Sequence, residues 1–299
     1  MTRLAILADV HGNLPALEAV MADLARFAVD HVVVAGDLIN LGPFPAEVVD
    51  AVLEQGWSVI RGNHEYYLLD YQTARAPAAW SDPLRWSMVR WSSQRLGEQR
   101  RRRIATWPDT LSLRFPDGPP ILVVHGVPRS PWTGIGRRAT DEEIGQHLAD
   151  VAEPVVVVGH THLTMDRRVG PWQVLNPGSL GDPLDGISTA SYLLLESNSH
   201  GWQPQFRRVP YDRARLFAEC DKQGYVETCG VIGHFAVEEF KTARPEISPF
   251  LRWYDATCPD RPLTMDLLAE YAAVDRWAYR GPGHRVNLDL PSPALDATS

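Results

Sequence analysis

Short apolar runs recur along the chain, and each stops at polar residues. Leu4–Ala8 runs into Asp9-Val10-His11, His31–Ala35 into Gly36-Asp37, and Trp57–Ile60 into Arg61-Gly62-Asn63-His64. Ile121–Val124 meets His125-Gly126, and Val155–Val158 meets Gly159-His160-Thr161-His162. Trp172–Leu175 meets Asn176-Pro177-Gly178-Ser179. Runs this short, rich in Val and Ile and closed by Gly, read as buried strands. Between the first three, Leu14–Leu24 and Pro45–Leu53 place apolar residues at helical spacing, with Pro near the first turn. Strand alternating with helix predicts right-handed crossovers and a parallel sheet. Later strands lose that alternation. Thr110–Phe115 and Ile121–Val124 bracket a Pro-Asp-Gly-Pro-Pro turn, and Thr189–Glu196 and Trp202–Val209 bracket Ser197–Gly201, so two hairpins are expected. The fold class is α/β (α+β), with a mixed sheet or two packed mixed sheets flanked by helices.

After about Tyr211 the pattern changes. Tyr211–Cys220 and Leu263–Tyr279 have helical spacing, Pro245–Pro262 holds four prolines and little period, and Gly281–Ser299 is rich in Gly and Pro. The expected division is 1–210 as a catalytic domain and 211–299 as a helical extension, serving as a lid or an oligomer contact. The net charge of −8 disfavours a partner such as long nucleic acid, whose recognition rests on a basic footprint. The one basic run, Arg100–Arg103, reads as the solvated end of a helix that starts near Ser81-Asp82-Pro83. The three cysteines form no CxxC pattern, which points away from a disulfide scaffold or zinc knuckle. No apolar stretch has the length of a signal peptide core or a membrane span, so a cytoplasmic protein is expected.

The candidate chemistry sits at the strand ends. In α/β sheets, ligands bind beyond the carboxyl edges of the strands. There the chain places Asp9, His11, Asp37, Asn63, His64, His125, His160 and His162, which include five of its ten histidines. One buried histidine satisfied by a carbonyl is ordinary. Five of them beside two aspartates are better explained as ligands. Carboxylate, imidazole and amide oxygen suit Mn, Fe or Zn rather than a soft thiolate site. One tetrahedral ion needs three or four ligands, so this many donors suit a pair of ions.

In order along the chain the motifs read D-x-H, GD, GNHE, a lone His after a strand, and GHTH. This series resembles the calcineurin-like metallophosphoesterases, over roughly residues 1 to 210. The resemblance implies a two-sheet sandwich flanked by helices. It also implies two divalent metal ions per chain, Mn first, with Fe, Zn, Ni or Co as alternatives. By motif, Asp9, His11 and His162 would hold the first ion, Asp37 would bridge, and Asn63, His125 and His160 would hold the second. His64 would be the catalytic residue, acting as general acid or stabilising the phosphoryl charge. His160 and His162, two apart on an extended segment, would each reach a different ion.

The segment Gly36–Pro45 resembles the GDxxxxGPxP form of bacterial and archaeal phosphodiesterase-like members. Phosphoprotein phosphatases carry GDxVDRG there. Asn40 stands at their histidine-supporting aspartate and Leu41 at their phosphate-binding arginine. The implied function is therefore hydrolysis of phosphodiesters or small phosphomonoesters, nucleotides among them, by in-line attack of a metal-bridging hydroxide. A serine/threonine phosphoprotein phosphatase and a dinucleoside-polyphosphate hydrolase are the alternatives. A regulatory module that keeps the fold without turnover is the non-enzyme alternative, which the full ligand set argues against. Asn13, Arg61 and Asn176 are candidates for substrate contact or for support of the site, with turn stabilisation or an ion pair as the plainer roles. Tail aromatics Trp253, Tyr254, Tyr271, Trp277 and Tyr279 could stack a base, but core packing is the plainer role.

Overall fold

The computed structural model describes residues 1–279. The chain forms two five-stranded sheets packed face to face with helices outside them. The first sheet has the order β10-β9-β1-β2-β3, built from β1 (Arg3–Leu7), β2 (His31–Val34), β3 (Ser58–Val59), β9 (Ala190–Asn198) and β10 (Gly201–Val209). β1, β2 and β3 run parallel, joined by α1 (Leu14–Leu24) and α2 (Pro45–Glu54); β9 and β10 are the antiparallel hairpin on the other side. The second sheet has the order β4-β5-β6-β8-β7, from β4 (Thr110–Phe115), β5 (Gly118–Val124), β6 (Val155–Val157), β7 (Thr164–Val169) and β8 (Trp172–Pro177). β5, β6 and β8 run parallel, and β4 and β7 are antiparallel edges.

The runs of consecutive apolar residues follow from burial on both faces. Leu4, Ile6, Val155 and Val157 point between the sheets, where they meet Ile121, Val123, Leu193 and Trp202. Ala5 and Leu7 point instead to the helices under the first sheet. Val156 and Val158 point to Ile144 and Leu148 of α5 (Asp141–Leu148). A strand with two dry faces has no place for polar alternation.

Several segments differ from the sequence reading. β7 and α5 carry no strong apolar run; β7 exposes Asp166 and Arg168 along a sheet edge, where charge is tolerated. α4 (Ser87–Ala105) begins later than Ser81-Asp82-Pro83. Asp82 does cap, but it caps a separate turn, accepting from Leu84 N at 2.9 Å and Arg85 N at 3.3 Å. The basic run does fall at the helix end, with Arg102 and Arg103 in its last turn. Arg100 grips Asp50 of α2 through two bonds, and Arg101 donates to the Leu68 carbonyl, so the run is partly structural.

Pro245–Pro262 contains α8 (Ile247–Thr257), with Pro249 in the first turn, where its missing N–H costs little. Leu263–Tyr279 is not one helix. α9 (Leu267–Ala272) stops, and Asp275 opens a separate turn by accepting from Ala278 N. Trp253, Tyr254 and Tyr271 are buried with Phe235 and Phe250 in an aromatic core, which leaves them no base to stack. Gly281–Ser299 and the side chain of Trp277 lie outside the described residues. Among the described residues, no helix is long and apolar enough to cross a membrane.

The C-terminal helices grip the core directly. α6 (Arg213–Lys222) and α7 (Tyr225–Thr242) add Leu216, Cys220, Tyr225, Ala236 and Phe240 to the cluster under the first sheet. Tyr225 is fully buried against Trp91 and donates its hydroxyl to the Leu41 carbonyl at 2.5 Å. Tyr225→Phe should leave that carbonyl unpaired and cost about 1–3 kcal/mol, and Tyr225→Ala about 3–5 kcal/mol, read as a lowered urea midpoint at constant m. A Phe variant as stable as the parent would show that the bond contributes nothing.

Candidate active site at the strand ends

The parallel strands of both sheets end at the same edge of the sandwich. Asp9 and His11 follow β1, Asp37 follows β2, Asn63 and His64 follow β3, His125 follows β5, and His160 and His162 follow β6. All eight come together. Donor atoms of Asp9, His11 and His162 lie within 4.8 Å of one another, as do those of Asp37, His125 and His160. Asn63 Oδ1 sits 2.9 Å from His125 Nε2 and 2.7 Å from His160 Nδ1. The two groups touch, since His11 Nε2 is 3.9 Å from both Asp9 Oδ1 and Asp37 Oδ2.

The local backbone is bent to achieve this. Asp9, His11, Asp37, Asn40, Leu41, His160 and His162 all have left-handed φ between 48° and 67°. Non-glycine residues pay of order 1–3 kcal/mol each for such conformations, and they cluster at functional sites. Backbone bonds offset part of this. Asp9 N and His11 N donate to the carbonyls of Gly36 and Asp37, and Gly42 N donates to that of His11. Gly62 is required by contact, because a Cβ there would lie 2.2 Å from Asp37 Oδ1. Glu65 finishes the loop. Its buried carboxylate accepts from the N–H groups of Asp37, Leu38 and Gly62, while burial and the Asp37 charge push its pKa up to about 7.

Three of the four candidate ligand histidines, His11, His125 and His162, are held by their outer nitrogens. His11 Nδ1 faces the Ile39 carbonyl at 3.3 Å, and His125 Nδ1 faces that of Ala35 at 2.8 Å. His162 Nδ1 lies 2.6 Å from the Asp182 carbonyl and 3.3 Å from its carboxylate. Nδ1 therefore carries the proton in each, and Nε2 points inward. His11 Nε2 and His162 Nε2 then face each other at 3.1 Å. His125 Nε2 faces Asn63 Oδ1 and, at 3.1 Å, Asp37 Oδ2. Acceptor against acceptor is repulsive unless a cation lies between them. A proton or a metal ion can do this, and the donors fit Mn-, Fe- or Zn-type ions.

The proton affinities follow the same geometry. Burial opposes charge on His125, yet Asp37 and Asp9 push its pKa up to about 9. Burial likewise opposes charge on His162, but Asp9 and Asp182 hold it well above the usual range. Burial and the neighbouring His64 and His162 hold His11 well below it, and burial and His125 push His160 down to about 4. Metal-free, the site keeps protons where ions would sit.

His64 is as close as the ligands, its ring centroid 4.7 Å from that of His11. Its Nδ1 meets the Asn40 amide at 3.1 Å. Burial lowers its pKa, and Asn40 supplies no charge to restore the imidazolium. The remaining candidates make bonds within the surrounding scaffold. Asn13 caps α1, accepting from Ala16 N, and donates to the Gly181 carbonyl. Asn176 ties down the histidine loop through the Gly159 carbonyl and the Thr161 hydroxyl. Arg61 pairs with Asp109 at 2.7 Å and lies across Tyr66, so it is an ion pair outside the ligand cluster. Sequence reasoning missed Asp182, Glu65 as a loop anchor, and Glu239. Glu239 is a buried acid of α7 that accepts from Glu246 N and Ile247 N.

A cavity of about 820 Å³ opens over the ligands. Its walls include His64, His160 and His162, together with Tyr67, Trp80 and Trp86 on one side and Ile247, Ser248 and Leu251 of α8 on the other.

A two-sheet sandwich with facing acceptors at its strand ends is the arrangement of a phosphoester hydrolase. The family profile described as "Calcineurin-like phosphoesterase superfamily domain" matches residues 2–200. The chain belongs to that family, and within it to the bacterial and archaeal branch. Phosphodiesterase YfcE of Escherichia coli is 26% identical over 211 residues, covering 66% of this chain and 89% of that protein. Protein MJ0912 of Methanocaldococcus jannaschii is 23% identical over 253 residues, covering 76% of this chain and 95% of that one. The crystal structure of a metallophosphoesterase from Sphaerobacter thermophilus is 26% identical, with a TM-score of 0.65 over 81% of this chain and 99% of that chain.

Two measurements test the electrostatics. Because His125 holds its proton up to about pH 9, metal binding should release protons below that pH. Apparent affinity should rise with pH toward 9, read by calorimetry in buffers of different ionisation enthalpy; uptake without proton release would contradict the protonation scheme. Asp182→Asn keeps the carbonyl partner of His162 and removes the charge, so metal affinity should fall about tenfold or more.

Proposed function

We propose that the chain hydrolyses phosphodiesters and small phosphomonoesters at a pair of divalent metal ions, Mn first among them. The observation that carries this reading is the pair of facing acceptor sets, Asp9-His11-His162 and Asp37-Asn63-His125-His160, side by side with Asp37 between them. When bound, such a pair supplies Lewis-acid charge to the phosphoryl group and lowers the pKa of an attacking water. The chain does the rest. Carbonyls of Ile39, Ala35 and Asp182 fix the imidazole orientations, and the cavity shields the reacting group from bulk water. His64, neutral by burial and partnered by an amide, acts as an uncharged donor to the leaving oxygen rather than as a strong acid.

Charge in the cavity supports diesters ahead of dianionic monoesters. Asp182 lines it, as does Glu239, whose carboxyl burial and the Asp182 charge hold well above the usual carboxylate range. Arg85 also lines it but is held by Asp255 through two bonds, and Arg252 lies exposed and donates to the Tyr279 carbonyl. Leu41 stands where the phosphoprotein phosphatases carry an arginine. A singly charged phosphate ester meets less repulsion there than a doubly charged one.

Asp37→Asn and His125→Ala should abolish hydrolysis of an aryl phosphodiester with Mn and lower bound metal from two ions per chain. His64→Ala should lose about a hundred-fold or more in kcat and keep both ions. Metal-free or ligand-deleted protein as fast as the parent with added Mn would sink the reading. A panel of monoesters, diesters, cyclic nucleotides, dinucleoside polyphosphates and phosphopeptides separates the substrate classes.

A further inference from the structure

Five aromatic rings from three separate segments form one cluster, three of them in the cavity lining. Tyr66 and Tyr67 come from α3 (Asn63–Asp70), Trp80 and Trp86 from the stretch before α4, and Trp132 from the loop after β5. Tyr67 is the hub. Its ring centroid lies 5.3 Å from that of His64, 5.0 Å from Trp80, 4.8 Å from Trp86 and 4.9 Å from Trp132. Trp80 and Trp86 are 4.7 Å apart. Tyr67, Trp80 and Trp86 line the same cavity as the ligand histidines.

These rings are not covered as structural rings are. Trp91, Trp107, Trp202 and Trp253 are all at most 7% exposed. Tyr67, Trp80 and Trp86 are only half-buried, and Trp132 is 43% exposed. An open indole beside a cavity leaves apolar area in water that a ligand can cover. The rings also have a fixed place relative to the chemistry, since Tyr67 packs on His64.

We infer that this wall binds a planar aromatic ring carried on the leaving group of the phosphate ester, either an aryl group or a nucleobase. The inference rests on the phosphoesterase reading, because His64 marks the leaving-group side only within it. Aromatic rings stack on any π-face, so the wall selects planarity rather than one base. The tail aromatics, buried in their own core, leave this task to the rings at the mouth.

The test uses the full chain with Mn and ligands that cannot be hydrolysed, so binding is read independently of turnover. Calorimetry compares phenylphosphonate with methylphosphonate, and the methylenephosphonate analogue of AMP with that of ribose 5-phosphate. The ring should tighten binding roughly 5- to 150-fold in at least one pair, the stacking contribution expressed as a ratio. The larger ratio identifies aryl or nucleobase as the source. Trp132→Ala, at the most exposed of the rings, and Trp80→Ala should pull the ring-bearing ligand toward its ringless partner. Metal content and ringless affinity should stay unchanged. Equal affinity within both pairs, or a ring preference that survives both substitutions, overturns the inference and means that the rings only brace residues 71–86. Hydrolysis failing on every ester while the ring preference holds overturns the phosphoesterase reading instead.

Discussion

Lone pairs aimed at one another at the strand ends of the sandwich hold this site in tension. His11 and His162 present Nε2 atoms 3.1 Å apart, and Asn63 Oδ1 sits between two imidazole nitrogens. Without a positive charge that arrangement repels itself, and water is largely excluded from screening it. The protein binds the charge through its buried aspartates, which raise the proton affinity of His125 and His162 and would equally attract a metal ion. Seven left-handed residues, each strained, are the structural cost of the same convergence. Edge strands, hairpins and helices supply the rigidity that keeps them there. The central strands β1 and β6 bury both faces, which pins their register.

That frame extends beyond the first 210 residues. Tyr225 of α7 reaches across to the carbonyl of Leu41, one of the strained positions, and α8 supplies one wall of the cavity. Arg85, just ahead of α4, is tied to Asp255 on α8, which fixes the opposite walls relative to each other. The size and polarity of the cavity thus depend on the C-terminal helices as well as on the ligand loops. A change in the packing of α7 would be felt at Leu41 before it was felt at any ligand.

The strand ends were legible in the sequence for a physical reason. A strand buried on both faces must be continuously apolar, so a histidine or aspartate straight after it stands out. That made the eight central residues and both hairpins readable. Asp182 was not readable, because much of its contact with His162 runs through a backbone carbonyl that any residue possesses. Left-handed φ at Asp9 or His160 has no signature either, since glycine, the usual marker, is absent there. α7 and α8 were obscured by residues that normally break helices. Gly230 bends α7 and Pro249 sits in the first turn of α8, and only tertiary packing of Phe235, Phe250 and Tyr271 reveals why both are tolerated. The mouth aromatics escaped notice because they come from three distant segments, and sequence spacing carries no information about that meeting.

Asn40 and Leu41 show how two substitutions in one loop can redirect a shared centre. A carboxylate at position 40 would favour a charged His64, and an arginine at 41 would hold a dianionic phosphate. Here the amide partners a neutral imidazole, and the leucine, 7% exposed, turns its side chain into the core cluster. The site thus has neither of the two charged side chains that the resembling loop of the phosphoprotein phosphatases carries. In their place it has a deep cavity with half-open rings on one side and acids on the other. On the proposed reading the metal ions would hold the phosphate, and discrimination among esters would come from what the phosphate is attached to. On that reading, selectivity would depend on the shape and planarity of the ester group more than on its charge.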